Sequence, residues 1–314
     1  MRITAMADSR ALGRAWTLDE LAVRYRMPAR DLRIFTRFHR FERVWLAPEA
    51  TLTELLEAAL DGLQRDLAPD YLCYGHSMHD NSVAGRGLLA GLTRRYLQPP
   101  ERVAVTQGAC ASGALALRWL MRQLEPGQRA LWLSGEKCFH PLVQYVAQNA
   151  CFGEIAVAVV LEAAPGPGWH LVAAENAWIG GYSQRLLHTS REAENRYDHA
   201  FLPAMLALVG RTLTQAGLRQ DDIAAIVPYH VSPVSFDRLA EQAGFGRERV
   251  FREHLYSLGH CFCSDAFINL AAAALKAWLT PARRHVLALA AGLTGSLAAL
   301  LFEYREVARH EYQP

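Results

Sequence analysis

The 314-residue chain carries a formal net charge of +2, with 51% apolar and 20% charged residues. That length supports a large core, as one broad domain or two fused halves, and the composition belongs to a folded globular protein. The charge gives no reason to expect nucleic acid, and the first residues hold no apolar run of signal-peptide length.

The longest apolar stretch, 286–302, is interrupted by Gly292, Thr294, Gly295 and Ser296, so no membrane span is expected. Six cysteines, at 73, 110, 138, 151, 261 and 263, contain no Cys-x-x-Cys spacing. Neither a zinc site nor any other metal is therefore expected, and the thiols read as reduced ones in a cytoplasmic protein.

In chain order, Thr17 with Glu20 and Thr51 with Glu54 fit the capping-box pattern, and each predicts a helix start. Between them Arg30, Arg33, Arg37 and Arg40 recur at three- or four-residue steps, interleaved with Phe35, Phe38 and Phe41. On a helix they form one basic stripe. It is either a solvated face or a docking site for something anionic, such as the phosphates of coenzyme A or an acidic carrier protein. Tyr71 to Tyr74 reads as a strand. The polar loop after it holds His76 and His79 at a metal-ligand spacing, but no third ligand is near in sequence. A helix is predicted over 86–96.

The stretch from Val103 to Leu117 reads as a β-branched run, a tight Gln107-Gly108-Ala109 turn, Cys110, and a helix of small residues. The turn delivers Cys110 to the first helical turn, where unpaired N–H groups and the positive dipole end favour a thiolate. The alternative is a buried, inert cysteine. Arg129 to Ser134 and Ile155 to Leu161 read as strands buried on both faces.

The second half repeats this grammar. A helix over 200–216 leads to a strand over 222–228, then Tyr229, His230 and a helix from Pro233. A second small-residue helix runs to Leu275, and a strand follows over 285–290. Segments 110–134 and 264–290 run in parallel, and each is followed by a strand ending at Glu162 or Glu303. This predicts a duplicated α/β architecture, with halves 1–165 and 166–314 meeting at the Ala/Pro/Gly-rich stretch 163–168.

With these pieces in order the chain resembles the thiolase superfamily, above all its β-ketoacyl-acyl-carrier-protein synthase III branch of condensing enzymes and acyltransferases. Gly108-Ala-Cys110-Ala-Ser-Gly-Ala-Leu115 is similar to the family's nucleophile turn. Val227-Pro-Tyr-His230 resembles the motif that brings in the active-site histidine, and Leu258-Gly-His260 stands where the family has Gly-Asn. Ala290-Ala-Gly292-Leu-Thr-Gly295 is similar to the Gly-rich segment before the last strand.

The resemblance implies a thiolase-like fold of two βαβαβαββ halves, stacked as a five-layered α-β-α-β-α sandwich, and a homodimer. It further implies that Cys110 takes an acyl group from acyl-coenzyme A or an acyl carrier protein, with no separate cofactor. The N–H groups of Cys110 and Gly292 would hold the oxyanion. The acyl group would pass to a carbon, oxygen or nitrogen nucleophile, in fatty-acid-like or secondary-metabolite synthesis, with a histidine serving that second substrate. Arg33, Arg37 and Arg40 are the candidate docking residues.

Two histidines are candidates. His230 lies one residue later than in the family because Tyr229 intervenes, a shift that turns a strand side chain to the opposite face unless a bulge restores it. His260 stands at the family's asparagine position. Asp265 either orients an imidazole or favours the N-terminus of its own helix, and the second role is the expected one. Phe201 and Phe236 are expected in the core. Two other classes compete: a non-catalytic or co-catalytic partner subunit of a heterodimeric condensing enzyme, and an α/β-hydrolase. Retention of Cys110 and two histidines counts against the first. The second wants Gly-x-Cys-x-Gly, where this chain has Gly108 and Gly113 around Cys110.

Overall fold

Both capping boxes form: each threonine hydroxyl accepts the N–H three residues on, and each glutamate accepts the threonine N–H in return. The computed structural model describes residues 1–63, 67–77, 87–98, 100–138, 144–147, 149–180, 191–292 and 295–306. In chain order the strands are β1 (Arg2–Asp8), β2 (Arg14–Thr17), β3 (Arg43–Leu46), β4 (Tyr71–Gly75), β5 (Glu101–Val105), β6 (Arg129–Ser134) and β7 (Tyr145–Val146). They continue as β8 (Ala150–Cys151), β9 (Val157–Glu162), β10 (Gly168–Trp178), β11 (Ile223–Val227), β12 (His285–Ala291) and β13 (Ser296–Arg305). The helices are α1 (Leu18–Tyr25), α2 (Ala29–Arg33), α3 (Leu52–Asp61), α4 (Leu88–Thr93), α5 (Ser112–Gln123), α6 (Arg191–Ala216), α7 (Pro233–Gln242), α8 (Asp265–Ala271) and α9 (Ala273–Lys276).

Nine strands join in one hydrogen-bonded sheet, in the order β11-β12-β13-β10-β1-β9-β6-β4-β5. The order is the same argument made twice. β9 lies antiparallel between β1 and β6, with β4 parallel to β6. In the later strands β13 lies antiparallel between β10 and β12, with β11 parallel to β12. β5 extends the first set beside β4, and its counterpart beside β11 is reduced to a single parallel bridge, Ile226 to Val250. Even the end pairs repeat: Arg129 meets Glu162, and Arg284 meets Glu303. β1 and β10 pair antiparallel and join the two sets.

Alternation along the strands sets the layers. Leu131, Leu133, Ala158 and Val160 face Leu55, Leu56 and Leu60 of α3 and Leu92 of α4. From the same strands Trp132, Val157, Val159 and Leu161 face the opposite way, into a core shared with Leu117 and Leu120 of α5 and Phe267 and Ile268 of α8. That core also takes Ala225, Val227, Val286, Ala288, Leu300 and Phe302 from the other set. The remaining face of the second set, Ile226, Leu287, Leu289, Ala299 and Leu301, packs on α6 and α7. The stack is helix, sheet, helix, sheet, helix, and the mixed α/β fold inferred from the sequence stands.

Local departures have local causes. The helix predicted over 86–96 is the shorter α4, and the small-residue helix after Ser264 breaks into α8 and α9 where Ala272 is extended. The basic stripe is not one α-helix: α2 ends at Arg33 and continues as a π-turn, Ile34–Phe38. Its four arginines and Phe38 are exposed, while Phe35 and Phe41 are buried beneath.

Candidate active site

The nucleophile turn follows β5. Gln107 and Ala109 both adopt positive φ, 73° and 43°, conformations that side-chain-bearing residues hold only when their surroundings compel them. A 3-10 turn, Ala109–Ala111, then leads into α5. Cys110 therefore stands in the 3-10 turn just before a twelve-residue helix and not in the helix's own first turn. The first bond of this turn runs from Ala111 N–H to Gly108 O at 3.0 Å, so the Cys110 N–H precedes the helix's own bonding.

Three groups clamp the turn. Gly113 N–H donates to Cys263 Sγ at 3.3 Å, and that thiol reaches Ala109 O at 3.7 Å. Ser296 Oγ donates to Gly108 O. Gly292 packs so closely that a Cβ there would lie 2.4 Å from Gly108 O and 2.8 Å from Ala109 Cβ. Its N–H, however, donates to Ser296 O at 2.8 Å. The expected oxyanion role of the Gly292 amide is thus corrected: a turn between β12 and β13 uses that donor, and the glycine serves the close approach.

His260 precedes α8, and its N–H donates to Cys151 O at 2.7 Å. Its ring lies among Phe152, Phe262 and Tyr229, with centroids 5.8, 5.5 and 6.0 Å away. Nδ1 donates to Asp265 Oδ2 at 2.5 Å, and the Cys110 side chain lies near enough to the ring to favour its charged form. Burial opposes charge on this ring, but the Asp265 carboxylate and the Cys110 sulfur outweigh it and push its pKa up to about 10.

Asp265 corrects another expectation. It opens α8, but its carboxylate turns back to the loop: Oδ1 accepts Cys261 N–H at 2.8 Å, and Oδ2 accepts His230 N–H at 2.7 Å as well as the His260 ring. The 3-10 turn Phe262–Ser264, with Phe262 at φ 54°, reverses the chain so that residues five apart face each other. Burial would raise the Asp265 pKa, yet the two histidines hold it below the ordinary carboxylate value.

His230 is not at the cavity. Val231 N–H donates to Tyr229 O at 2.8 Å, a tight turn that sends Tyr229 and His230 to opposite sides. The register irregularity of β11 between Ile223 and Ala225 does not bring His230 to the cavity. Tyr229 lines the cavity, and the His230 ring is spent on Gly259 O, Asp265 and Asn269 behind it.

The cavity measures about 420 Å³. Cys110, His260 and Tyr229 share it with Phe152 and Phe201, with Ser232, Ser235, Tyr197 and Asp198 among its polar walls. Phe38 and His39 place the arginine-bearing segment on the same cavity. Phe201 is thus a lining residue, whereas Phe236 stays in the core and braces Tyr229 edge-on at 5.0 Å. Tyr229 was the residue missed. It directly follows Pro228, where the family's histidine stands, and that position was its only sequence signal. Among the described residues no group of three His, Cys, Asp or Glu could hold a metal; His76 stacks on Tyr74, and His79 lies outside the described residues.

Residues 213–304 match the family model for the 3-oxoacyl-[acyl-carrier-protein] synthase III C terminal, a span that holds His230, His260, Asp265 and Gly292. The structure superposes on that of ChlB3, an acyltransferase, with a TM-score of 0.80, 20% identity and 98% of each chain covered. The chain has the fold of the ketosynthase III branch of the thiolase superfamily. Other ketosynthase III-like structures agree. That of 3-oxoacyl-[acyl-carrier-protein] synthase III from Aquifex aeolicus VF5 gives a TM-score of 0.71 at 18% identity, covering 96% of this chain and 99% of that one. AbyA1, a tetronic acid condensing enzyme, gives 0.71 at 16% identity with the same coverage. No curated protein matches the chain.

Proposed function

We propose that this ketosynthase III-like protein is an acyl-thioester-dependent acyltransferase, with Cys110 as the acyl carrier, His260 as its acid and base, and Asp265 as the group that orients His260. The observation that carries the reading is the Cys110–His260–Asp265 line at the cavity. In this reading the nucleophile is the Cys110 thiolate, paired with the charged His260. The sulfur attacks the carbonyl of an acyl-coenzyme A or acyl-carrier thioester, with the Cys110 N–H facing the developing oxyanion. The donor's C–S bond breaks, and its thiolate takes the proton from His260. An acceptor O–H or N–H then gives its proton to the same imidazole and attacks the acyl carbon. The Cys110–acyl bond breaks and the ion pair returns.

Tyr229 decides between acceptors. It stands directly after Pro228, the position at which the family's histidine would serve a decarboxylated enolate. Burial, then the charges of Tyr197 and Cys110, push its phenol pKa well up, so it is a neutral hydrogen-bond donor. One imidazole suits an acceptor that brings its own proton. Exposed Arg33, Arg37 and Arg40 border the segment whose Phe38 and His39 reach the cavity, a setting suited to the phosphates of coenzyme A or a carrier protein. Secondary-metabolite synthesis fits the likeness to AbyA1, a tetronic acid condensing enzyme, and a homodimer fits the resemblance to the family.

The test is a chase. The acylated protein is mixed with malonyl-carrier protein or with alcohol and amine acceptors, and acyl loss and carbon dioxide are followed. The expected result is acyl transfer to oxygen or nitrogen without carbon dioxide; carbon dioxide release with a β-ketoacyl product would overturn it in favour of condensation.

A further inference from the structure

A buried imidazole that touches no substrate still has a defined task here. Gly259 O can only accept, so His230 Nδ1, 3.0 Å away, carries a proton. The same N–H faces Asp265 Oδ1 at 3.3 Å. On the ring's far side Asn269 Nδ2 donates to Pro228 O at 3.0 Å and lies 3.0 Å from His230 Nε2, nearer than Asn269 Oδ1 at 3.2 Å. Nε2 is therefore the acceptor, and the network assigns the Nδ1–H tautomer.

Counting donors onto Asp265 then closes the site. Oδ2 receives the His260 ring and the His230 backbone N–H; Oδ1 receives the Cys261 N–H, and the His230 ring nitrogen, whose hydrogen bond goes to Gly259 O, stands 3.3 Å from that oxygen. One residue thus donates its backbone N–H to one oxygen of the carboxylate that aligns His260 and holds its ring N–H dipole beside the other. A histidine satisfied merely as core would not need to meet both.

We infer that His230 is a positioning residue that fixes the Asp265 carboxylate against His260, and thereby sets the pH above which His260 acts as a base. The inference rests on the acyl-transfer reading above for its consequence, though not for its geometry. Removing a neighbouring N–H dipole from a carboxylate makes it more basic, and a more basic carboxylate holds the imidazolium proton longer. The other titratable groups facing the pair are Cys110, Tyr229 and Cys261, with His254 near His230.

Spectra of the ¹⁵N-labelled histidine rings test this without substrate. Wild-type protein is expected to show His230 protonated on Nδ1 and bare on Nε2; the opposite tautomer would overturn the assignment without any variant. His230→Asn keeps an amide donor at the Nδ1 position, whereas His230→Gln carries it to the Nε2 position and withdraws it from Asp265. The midpoint of the His260 titration should rise by about one pH unit in H230Q and stay near wild type in H230N. The acidic limb of acyl-Cys110 breakdown, normalised to acylated protein, should move in step. Identical His260 titrations in both variants would reduce His230 to packing. Absence of any acylation in wild type would instead defeat the acyl-transfer reading and leave the spectra standing.

Discussion

Asp265 shows how much a single side chain can leave undecided in sequence. Five residues after His260 and at the head of a helix, it suited two roles, and only the reversal at Phe262 brings its carboxylate onto the imidazole. The orienting role predicts that Asp265→Asn lowers acyl transfer by about 10²–10⁴-fold while the circular dichroism spectrum is kept; transfer within a few-fold of wild type would remove Asp265 from the site. The pair Tyr229 and His230 was legible as a one-residue offset, but which of the two faces the cavity depends on the Val231-to-Tyr229 turn. Gly292 was recognised as important for the wrong reason. A methyl group there has no room beside Gly108 O, so Gly292→Ala should destabilise the fold by about 1–3 kcal/mol and slow acylation. A urea midpoint equal to wild type would contradict that packing.

Among elements, those with strong punctuation or a continuous apolar run were readable: both capping boxes, the nucleophile helix α5, and strands β6, β9 and β12. Thr51→Ala, which removes one cap from α3, should cost about 1 kcal/mol in urea unfolding, and no change would show that the cap is idle. β1 and β10 were not readable. Each is mixed in burial, so neither shows the buried run that marks the strands beside them, yet these two join the sheet. The arginine segment was legible as a stripe but not as a cavity wall, because the π-turn that presents Phe38 has no period of its own. If it docks phosphate, reversing Arg37 and Arg40 to glutamate should raise KM for an acyl-coenzyme A by on the order of tenfold, more at low salt than at high. The same KM ratio for a phosphate-free pantetheine thioester would speak against docking.

At the scale of the whole molecule, buried histidines tie stability to pH in two directions. Burial lowers the pKa of His170, His254 and His285, that of His254 from 6.5 to about 4. Their contribution is full above pH 6.5 and is lost as the pH falls toward 4, because unfolding lets them bind protons. His260 is raised from 6.5 to about 10, so its contribution is full below pH 6.5 and is lost as the pH climbs through 10. The urea midpoint should therefore fall on both sides of neutrality, and His254→Gln should flatten the acid side. A profile level from pH 4 to 6.5 would contradict this.

The repeated strand order explains why so much of the architecture could be read: two similar runs of sequence build two similar sets of strands around α5 and α8. The site was less legible because its parts meet across those sets, Cys110 from one and His260 with Asp265 from the other. Whether that meeting makes an acyl carrier is answered most directly by intact mass and peptide mapping of the protein after exposure to a panel of acyl-coenzyme A and acyl-carrier thioesters. A single acyl adduct on Cys110, absent in Cys110→Ala, is the expected result. An unmodified protein across the panel, or an adduct that persists in that variant, would contradict it.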